Sequence, residues 1–452
     1  MSTITTANQE PYCAEKKKMP KVLIIGQPFN NDTGGGITLS NLFAGWDRER
    51  LAVVCSGYLI NDNTSYDRCR NYYQIGHLEH RWTFPFSVLK RKYYSGPVNP
   101  VANPAPSPLI GKDGSSWRKK LITEHFHPLM SFLGIQDFLS SVKLSPQLCR
   151  WIDQFEPDVV YAQATSRQGI LFCKMVQEYV KKPFVFHMMD DWPLMLKEEG
   201  ILGRYWEKKV HSEIQDLFDN AQLLLSISDR MAIEYKQRYG KNFITFHNPI
   251  DLTFWSRYRK TDFNLKKRPS LLYAGRVGIG INSSLQTIAK AVRQLNEETG
   301  ADLEFLLQTA EEPAWVKDYD CVRHTGLVPY DELPKAFAQA DFLILPYDFS
   351  SKALQFIRLS MPTKATEYMA SGTPLIVFAP ETTALVNYAK THQCARILTE
   401  NKAENLKEIL KELMLQPLLR QTLSEKATET VDHHHNAVEV QEHFRSLIGS
   451  LI

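Results

Sequence analysis

Lys364 and Glu367 stand three residues apart in the run Ser360-Met361-Pro362-Thr363-Lys364-Ala365-Thr366-Glu367-Tyr368-Met369-Ala370-Ser371-Gly372-Thr373-Pro374. If the run is helical, that spacing puts both side chains on one face. A cation for phosphate beside a carboxylate for vicinal hydroxyls is the pairing that a sugar nucleotide requires. Ser360 or Thr363 can cap the helix start, Pro362 suits the first turn, and Gly372 suits the left-handed residue that ends a helix. The start of such a helix offers open N–H groups and partial positive charge, which is where a phosphate sits. An exposed ion pair on an ordinary surface helix has the same two residues and contributes little.

Three other groups have chemistry to offer. The loop Asn30 to Ile37 contains Gly34, Gly35 and Gly36, whose backbone lets a phosphate approach closely, although a flexible turn has the same composition. These glycines do not fit Gly-x-Gly-x-x-Gly, which argues against a nicotinamide dinucleotide. The run His187-Met188-Met189-Asp190-Asp191-Trp192-Pro193 follows an apolar strand, at the edge where open α/β sheets place ligands. Asp190 and Asp191 suit the handling of sugar or acceptor hydroxyls. Asp191 can instead cap a helix near Pro193, and His187 can be a core histidine with a satisfied ring. An adjacent acid pair lacks the spacing of an Asp-x-Asp metal site. Arg276 leaves a strand through Gly275 and can turn its fork to a diphosphate, or pair with a surface acid.

The elements that must position these groups come in two alternating series. Buried strand signals at Lys21–Gly26, Leu51–Cys55, Asp158–Ala162, Phe184–His187 and Leu223–Ser226 have helical stretches between most of them, with a first helix expected near Ile37. A second series runs through Ser270–Arg276, Leu303–Leu307, Asp341–Pro346 and Pro374–Phe378. Alternation of this kind predicts two doubly wound parallel sheets. The expected division is a disordered polar tail over 1–18, a first domain over 19–250, a linker over 251–268, a second domain over 269–430 and a final helix within 431–452. Residues 60–150 read as irregular, with a Pro/Gly/Ser-rich mobile loop at about 95–116.

The chain has 452 residues, enough for two full cores, and a net charge of only +3, which gives no case for a dedicated nucleic-acid binder. Charge is nonetheless uneven. Segment 81–120 holds eight lysines and arginines against Asp113 alone, interleaved with aromatic residues. That mixture suits an anionic membrane surface or a lipid-linked diphosphate, and equally a loop with no ligand. The seven cysteines are scattered, odd in number and without metal-ligand spacing, as expected of reduced thiols. No apolar run reaches membrane-spanning length and residues 1–18 lack a signal-peptide centre, so the reading is cytoplasmic, at the inner face of a membrane if 81–120 docks there. His433 to His435 read as incidental surface histidines.

The stretch from Pro362 to Pro374 resembles the donor-site helix of GT-B glycosyltransferases, particularly the retaining family 4, and the likeness extends over Leu271 to Pro380 and more loosely over Lys21 to Asp251. The resemblance implies a GT-B fold, with the first domain receiving the acceptor and the second a UDP- or GDP-sugar donor. It implies a transferase acting with retention on a saccharide or lipid-linked hydroxyl, with no resident metal or cofactor and no nucleic-acid partner. Arg276 and Lys364 would neutralise the diphosphate, Glu367 would hold ribose, and the Gly34–Gly36 loop would close over phosphate and sugar. Thr363 and Ser360 would join the donor site, while His187, Asp190 and Asp191 would stand near the reacting hydroxyl. The chain departs from the family at two positions: Ile281 stands where a second phosphate cation is usual, and Leu359 where a first glutamate contacts the sugar. Those departures leave open a catalytically degenerate, nucleotide-sugar-binding or membrane-docking scaffold.

Overall fold

Short runs of apolar residues form strands buried on both faces, and helices cover them. The computed structural model describes residues 19–31, 33–82, 93–98, 132–134, 138, 140–198, 200–278 and 281–452. The first ten strands are β1 (Val22–Ile25), β2 (Leu51–Ser56), β3 (Asn71–Ile75), β4 (His80–Trp82), β5 (Gly96–Val98), β6 (Ser140–Val142), β7 (Val159–Ala162), β8 (Phe184–Met188), β9 (Leu223–Ser226) and β10 (Ile244–Thr245). Eight of them make one sheet in the order β10-β9-β8-β7-β1-β2-β3-β5, while β4 and β6 pair separately. The large sheet is parallel except at its β5 edge. Leu23 of β1 sits between Ala52 and Val160, fixing the register at the centre.

The second sheet is built from β11 (Ser270–Ala274), β12 (Glu304–Gln308), β13 (Val322–His324), β14 (Phe342–Pro346), β15 (Leu375–Phe378) and β16 (Arg396–Leu398). Its order is β13-β12-β11-β14-β15-β16, all parallel. In each sheet the chain moves outward on one side of the first strand and then returns to its other side. The switch points fall between β1 and β7 and between β11 and β14, where a crevice opens beyond the carboxyl ends of the strands. This is the two-domain α/β architecture expected from the alternation.

Four helices matter most for the site: α1 (Gly34–Leu42), α2 (Asp229–Tyr239), α3 (Thr363–Ala370) and α4 (Ala437–Gly449). Helix α1 begins three residues earlier than the sequence reading, because the Thr33 side chain accepts from the Gly36 amide and draws all three glycines into its first turn. Helix α4 packs on the first domain. Phe444 and Ile448 are fully buried there, and the Phe444 ring lies 5.0 Å from that of Phe43. Where the chain passes back, the Ile250 amide donates to the His435 carbonyl and the Ala437 amide to that of Ile250.

Residues 60–150 are less irregular than expected. They contain β3 to β6 and the helix Pro146–Phe155, whose cap is Ser145. The proposed loop at 95–116 begins with an ordered strand, β5, paired to β3. The rest of that loop, most of the basic segment 81–120 and the tail 1–18 lie outside the described residues. Segment 251–268 is held on the second domain, with Trp255 stacked on Phe337 and Arg259 paired to Asp432. Among the described residues six cysteines are free, and no helix is long and apolar enough to cross a membrane.

Candidate functional site

A cleft of about 1040 Å³ lies between the two switch points. Gly34 and Gly35 of α1 and Asp190 after β8 line it from the first domain. Arg276 after β11, Tyr347 after β14, and Ser360, Thr363 and Lys364 line it from the second. Two cations and the amino ends of α1 and α3 therefore converge on one space, which suits a diphosphate. Ile281, at the start of the helix Asn282–Thr299, also lines the cleft and leaves that corner apolar.

Close backbone packing brings the two cations together. Gly275 has no room for a side chain: a Cβ there would lie 2.6 Å from the Tyr273 hydroxyl and 3.3 Å from Lys364 Cε. The Tyr273 hydroxyl donates to the Arg276 carbonyl at 2.7 Å, holding the turn that carries Arg276 into the cleft. Tyr368 fixes α3 to the same strand end, its hydroxyl accepting from the Ala274 amide at 2.8 Å. Pro362 rather than Ser360 or Thr363 occupies the cap position of α3, and no side chain caps that end. The Ser360 hydroxyl instead donates across the cleft to Asp190 Oδ1 at 2.7 Å. Gly372 takes φ of 69° directly after the helix, where a left-handed residue is needed.

Glu367 sits one turn deeper than Lys364 and is only 6 % exposed. Its carboxylate accepts no hydrogen bond from any described residue. Burial pushes its pKa up to about 7, and the nearby Lys364 charge limits the rise. Such a carboxylate is poised to accept hydroxyl donors when a ligand supplies them.

On the first domain, the structure separates the three candidates. Asp190 faces the cleft, where the surrounding walls limit its hydration and raise its pKa, partly offset by the Ser360 hydroxyl. Asp191 is not among the cleft-lining residues. It is 1 % exposed and takes both arms of the Arg238 fork, at 2.6 and 3.0 Å, together with the Tyr235 hydroxyl at 2.9 Å. Its side chain is committed to α2, so neither acceptor handling nor helix capping describes it. His187 lies in the core of β8, where burial lowers its pKa to about 3 and keeps the ring neutral. The Tyr161 hydroxyl, which accepts from Gln163 Nε2 at 3.0 Å, meets His187 Nδ1 at 2.7 Å. Gln163 in turn packs under Gly35, its Oε1 3.1 Å from where a Cβ would be. His187 thus supports the α1 turn from below rather than facing a substrate.

Gly36 is not a cleft residue either. A Cβ there would lie 2.4 Å from Asn30 Oδ1, so its bareness serves packing, whereas Gly34 is open. Tyr161, Gln163, Arg238 and Tyr368 were invisible to spacing arguments because each acts on a partner distant in sequence. Among the described residues no group of three or more His, Cys, Asp or Glu is arranged to hold a metal ion.

Residues 268–416 match the family described as Glycosyl transferases group 1, a span that runs from just before β11 through the helix Ala403–Leu415. The second domain is similar to group 1 glycosyltransferase domains over that span. Both domains superpose on GT-B glycosyltransferases. Anabaena Alr3699/HepE in complex with UDP and glucose is 12 % identical, with a TM-score of 0.55 over 95 % of this chain and 100 % of that one. Sucrose-phosphate synthase from Thermosynechococcus elongatus is 13 % identical, with a TM-score of 0.61 over 95 % and 98 %. WaaG, a glycosyltransferase involved in lipopolysaccharide biosynthesis, is 12 % identical, with a TM-score of 0.53 over 94 % and 99 %. Identities this low show the fold, which is GT-B. No curated protein matches the chain. The second domain contributes Arg276, Ser360, Thr363 and Lys364 to the cleft lining, with Glu367 buried behind Lys364, and the first domain contributes Gly34, Gly35 and Asp190.

Proposed function

We propose that the chain transfers a sugar from a UDP- or GDP-sugar to a hydroxyl of a saccharide or lipid-linked acceptor, in polysaccharide or glycoconjugate synthesis. The observation that carries this reading is the convergence of Arg276, Lys364 and the open start of α3 on a cleft at two sheet switch points. Arg276 and Lys364 hold the diphosphate and stabilise the charge that grows on it as the glycosidic bond breaks. Glu367 accepts hydrogen bonds from the ribose hydroxyls. The α1 amino end, at Gly34 and Gly35, closes on the phosphate and sugar from the opposite domain. The acceptor hydroxyl approaches beside Asp190, and its proton passes to the leaving phosphate, so no protein nucleophile is needed. Exclusion of water from the cleft strengthens every charge interaction in it. The family likeness adds net retention to this reading, and the anomeric configuration of the product, read by NMR, decides that part. HepE has been seen with UDP-glucose, which supports the choice of donor class.

A second reading rests on Leu359, which is fully buried, and on Ile281, which is apolar and lines the cleft. A protein that binds a nucleotide sugar without turning it over would carry such replacements, and would dock through 81–120. Calorimetric titration with UDP, GDP, ADP and their sugar conjugates separates the readings. Micromolar affinity for one nucleotide, weakened at least tenfold in Lys364→Ala (about 1.4 kcal/mol), supports the donor site, and donor turnover then supports the transferase. Tight binding without turnover supports the degenerate reading, and no binding to any nucleotide overturns both.

A further inference from the structure

Three consecutive residues of the second domain, Arg358, Leu359 and Ser360, each bond to the first domain directly before the cleft-facing start of α3. The Arg358 guanidinium meets both oxygens of Glu234 at 3.0 and 3.3 Å and lies 3.7 Å from Asp191 Oδ2. The Leu359 carbonyl accepts from the Ser228 hydroxyl at 2.6 Å, and the Ser360 hydroxyl donates to Asp190 at 2.7 Å. Arg238 completes the cluster, bridging Asp191 and Glu234. Two arginines and two acids thus balance in charge, and the side chains are between 1 % and 27 % exposed. Arg358 is at the same time rooted in its own domain, where its carbonyl accepts from the Ala384 amide at 2.7 Å.

We infer that Arg358 is an interdomain positioning residue: its fork on Glu234 and Asp191 clamps segment 358–364, and with it Ser360 and Lys364, against the first domain. The inference rests on the donor-site reading of Lys364 but concerns what holds that site together. Its geometry is that of a bidentate, partly desolvated pair, which is worth more than an exposed one. Without the clamp the ligand itself must draw the domains together, so donor affinity falls while the chemistry of the closed state is unchanged. Removing Arg358 leaves Glu234 and Asp191 still paired with Arg238, so the fold survives the test.

The experiment combines Arg358→Ala, Arg358→Lys, Glu234→Gln and the Arg358→Ala/Glu234→Gln pair. Melting curves check folding. Spin labels at exposed Lys236→Cys and Lys317→Cys report the interdomain distance by pulsed electron resonance, with no need of substrate. The expected result is a broadened distance distribution in Arg358→Ala and Glu234→Gln, with the double variant no broader than either. Donor KM rises about five- to tenfold with kcat within about twofold, and Arg358→Lys recovers part of the loss. An unchanged distance distribution in Arg358→Ala overturns the clamp. So does a fall in kcat at constant KM, which would place Arg358 on the chemistry. A wild-type protein that binds no nucleotide sinks the donor-site reading alone, because the distance measurement still decides the clamp.

Discussion

Glu367 shows how burial sets the chemistry of one side chain. Its carboxyl is shifted from 4.5 to about 7 because little water reaches it and no described residue donates to it. Between those two values the folded protein keeps a proton that the unfolded chain has lost, so stability falls as pH rises through that window. Above it, ionisation of the buried group costs the fold about 3 kcal/mol at most. Glu367→Gln therefore raises stability at pH 8 relative to wild type, and the difference closes below about pH 4.5, as read by urea denaturation at both ends. If Glu367 takes ribose as its carboxylate, nucleotide affinity in the wild type climbs as pH passes 7 and is flat in Glu367→Gln. A climb that survives in the variant would assign the titration to another group. Asp190 and Asp191 show how partners divide the roles of like residues. Two adjacent acids look alike in sequence, yet one faces the cleft and its neighbour is consumed by Arg238 and Tyr235.

At the level of elements, what could be read in advance was what repeats locally. Uniformly apolar runs such as Val22–Ile25 and Leu375–Phe378 announce buried parallel strands, and Pro362 with Gly372 brackets α3. The strands β3 and β5 gave no such signal. Asn71–Ile75 mixes polar and aromatic residues, and Gly96–Val98 contains a proline tolerated only at a sheet edge. Three glycines argue for a loop at the start of α1, yet one Thr33 cap suffices to wind them into the helix. Tertiary partners were out of reach altogether: nothing near Tyr368 announces that its hydroxyl anchors α3 to Ala274. Helix α4 is part of the first domain's core, its Phe444 ring meeting Phe43, Trp46 and Phe246. Phe444→Ala should cost about 3–5 kcal/mol of first-domain stability. Proteolysis that cleaves the first domain ahead of the second in this variant would show the effect where it is expected, and unchanged resistance would remove α4 from the core.

For the molecule as a whole, the small net charge of +3 gives little long-range pull, so the proposed diphosphate depends on Arg276 and Lys364 within a cleft that Asp190, Glu311 and Glu312 also line. Arg276 is exposed and Lys364 half-buried, so their pull on a diphosphate is open to screening. Nucleotide affinity should fall several-fold as ionic strength rises from about 0.05 to about 0.5 M, with a shallower slope in Lys364→Ala. Equal slopes would mean that Lys364 does not meet the phosphates. The path of the chain has a further consequence, which concerns its birth on the ribosome. The first domain opens with Val22 but its core is not closed until Phe444 and Ile448 arrive. The second domain, lying wholly within that interval, can complete its own core first. The earlier-made half must then wait, with the aromatic surface around Phe43 and Trp46 uncovered, for nearly the whole of translation, so nascent-chain protection by chaperones matters most for the part synthesised earliest.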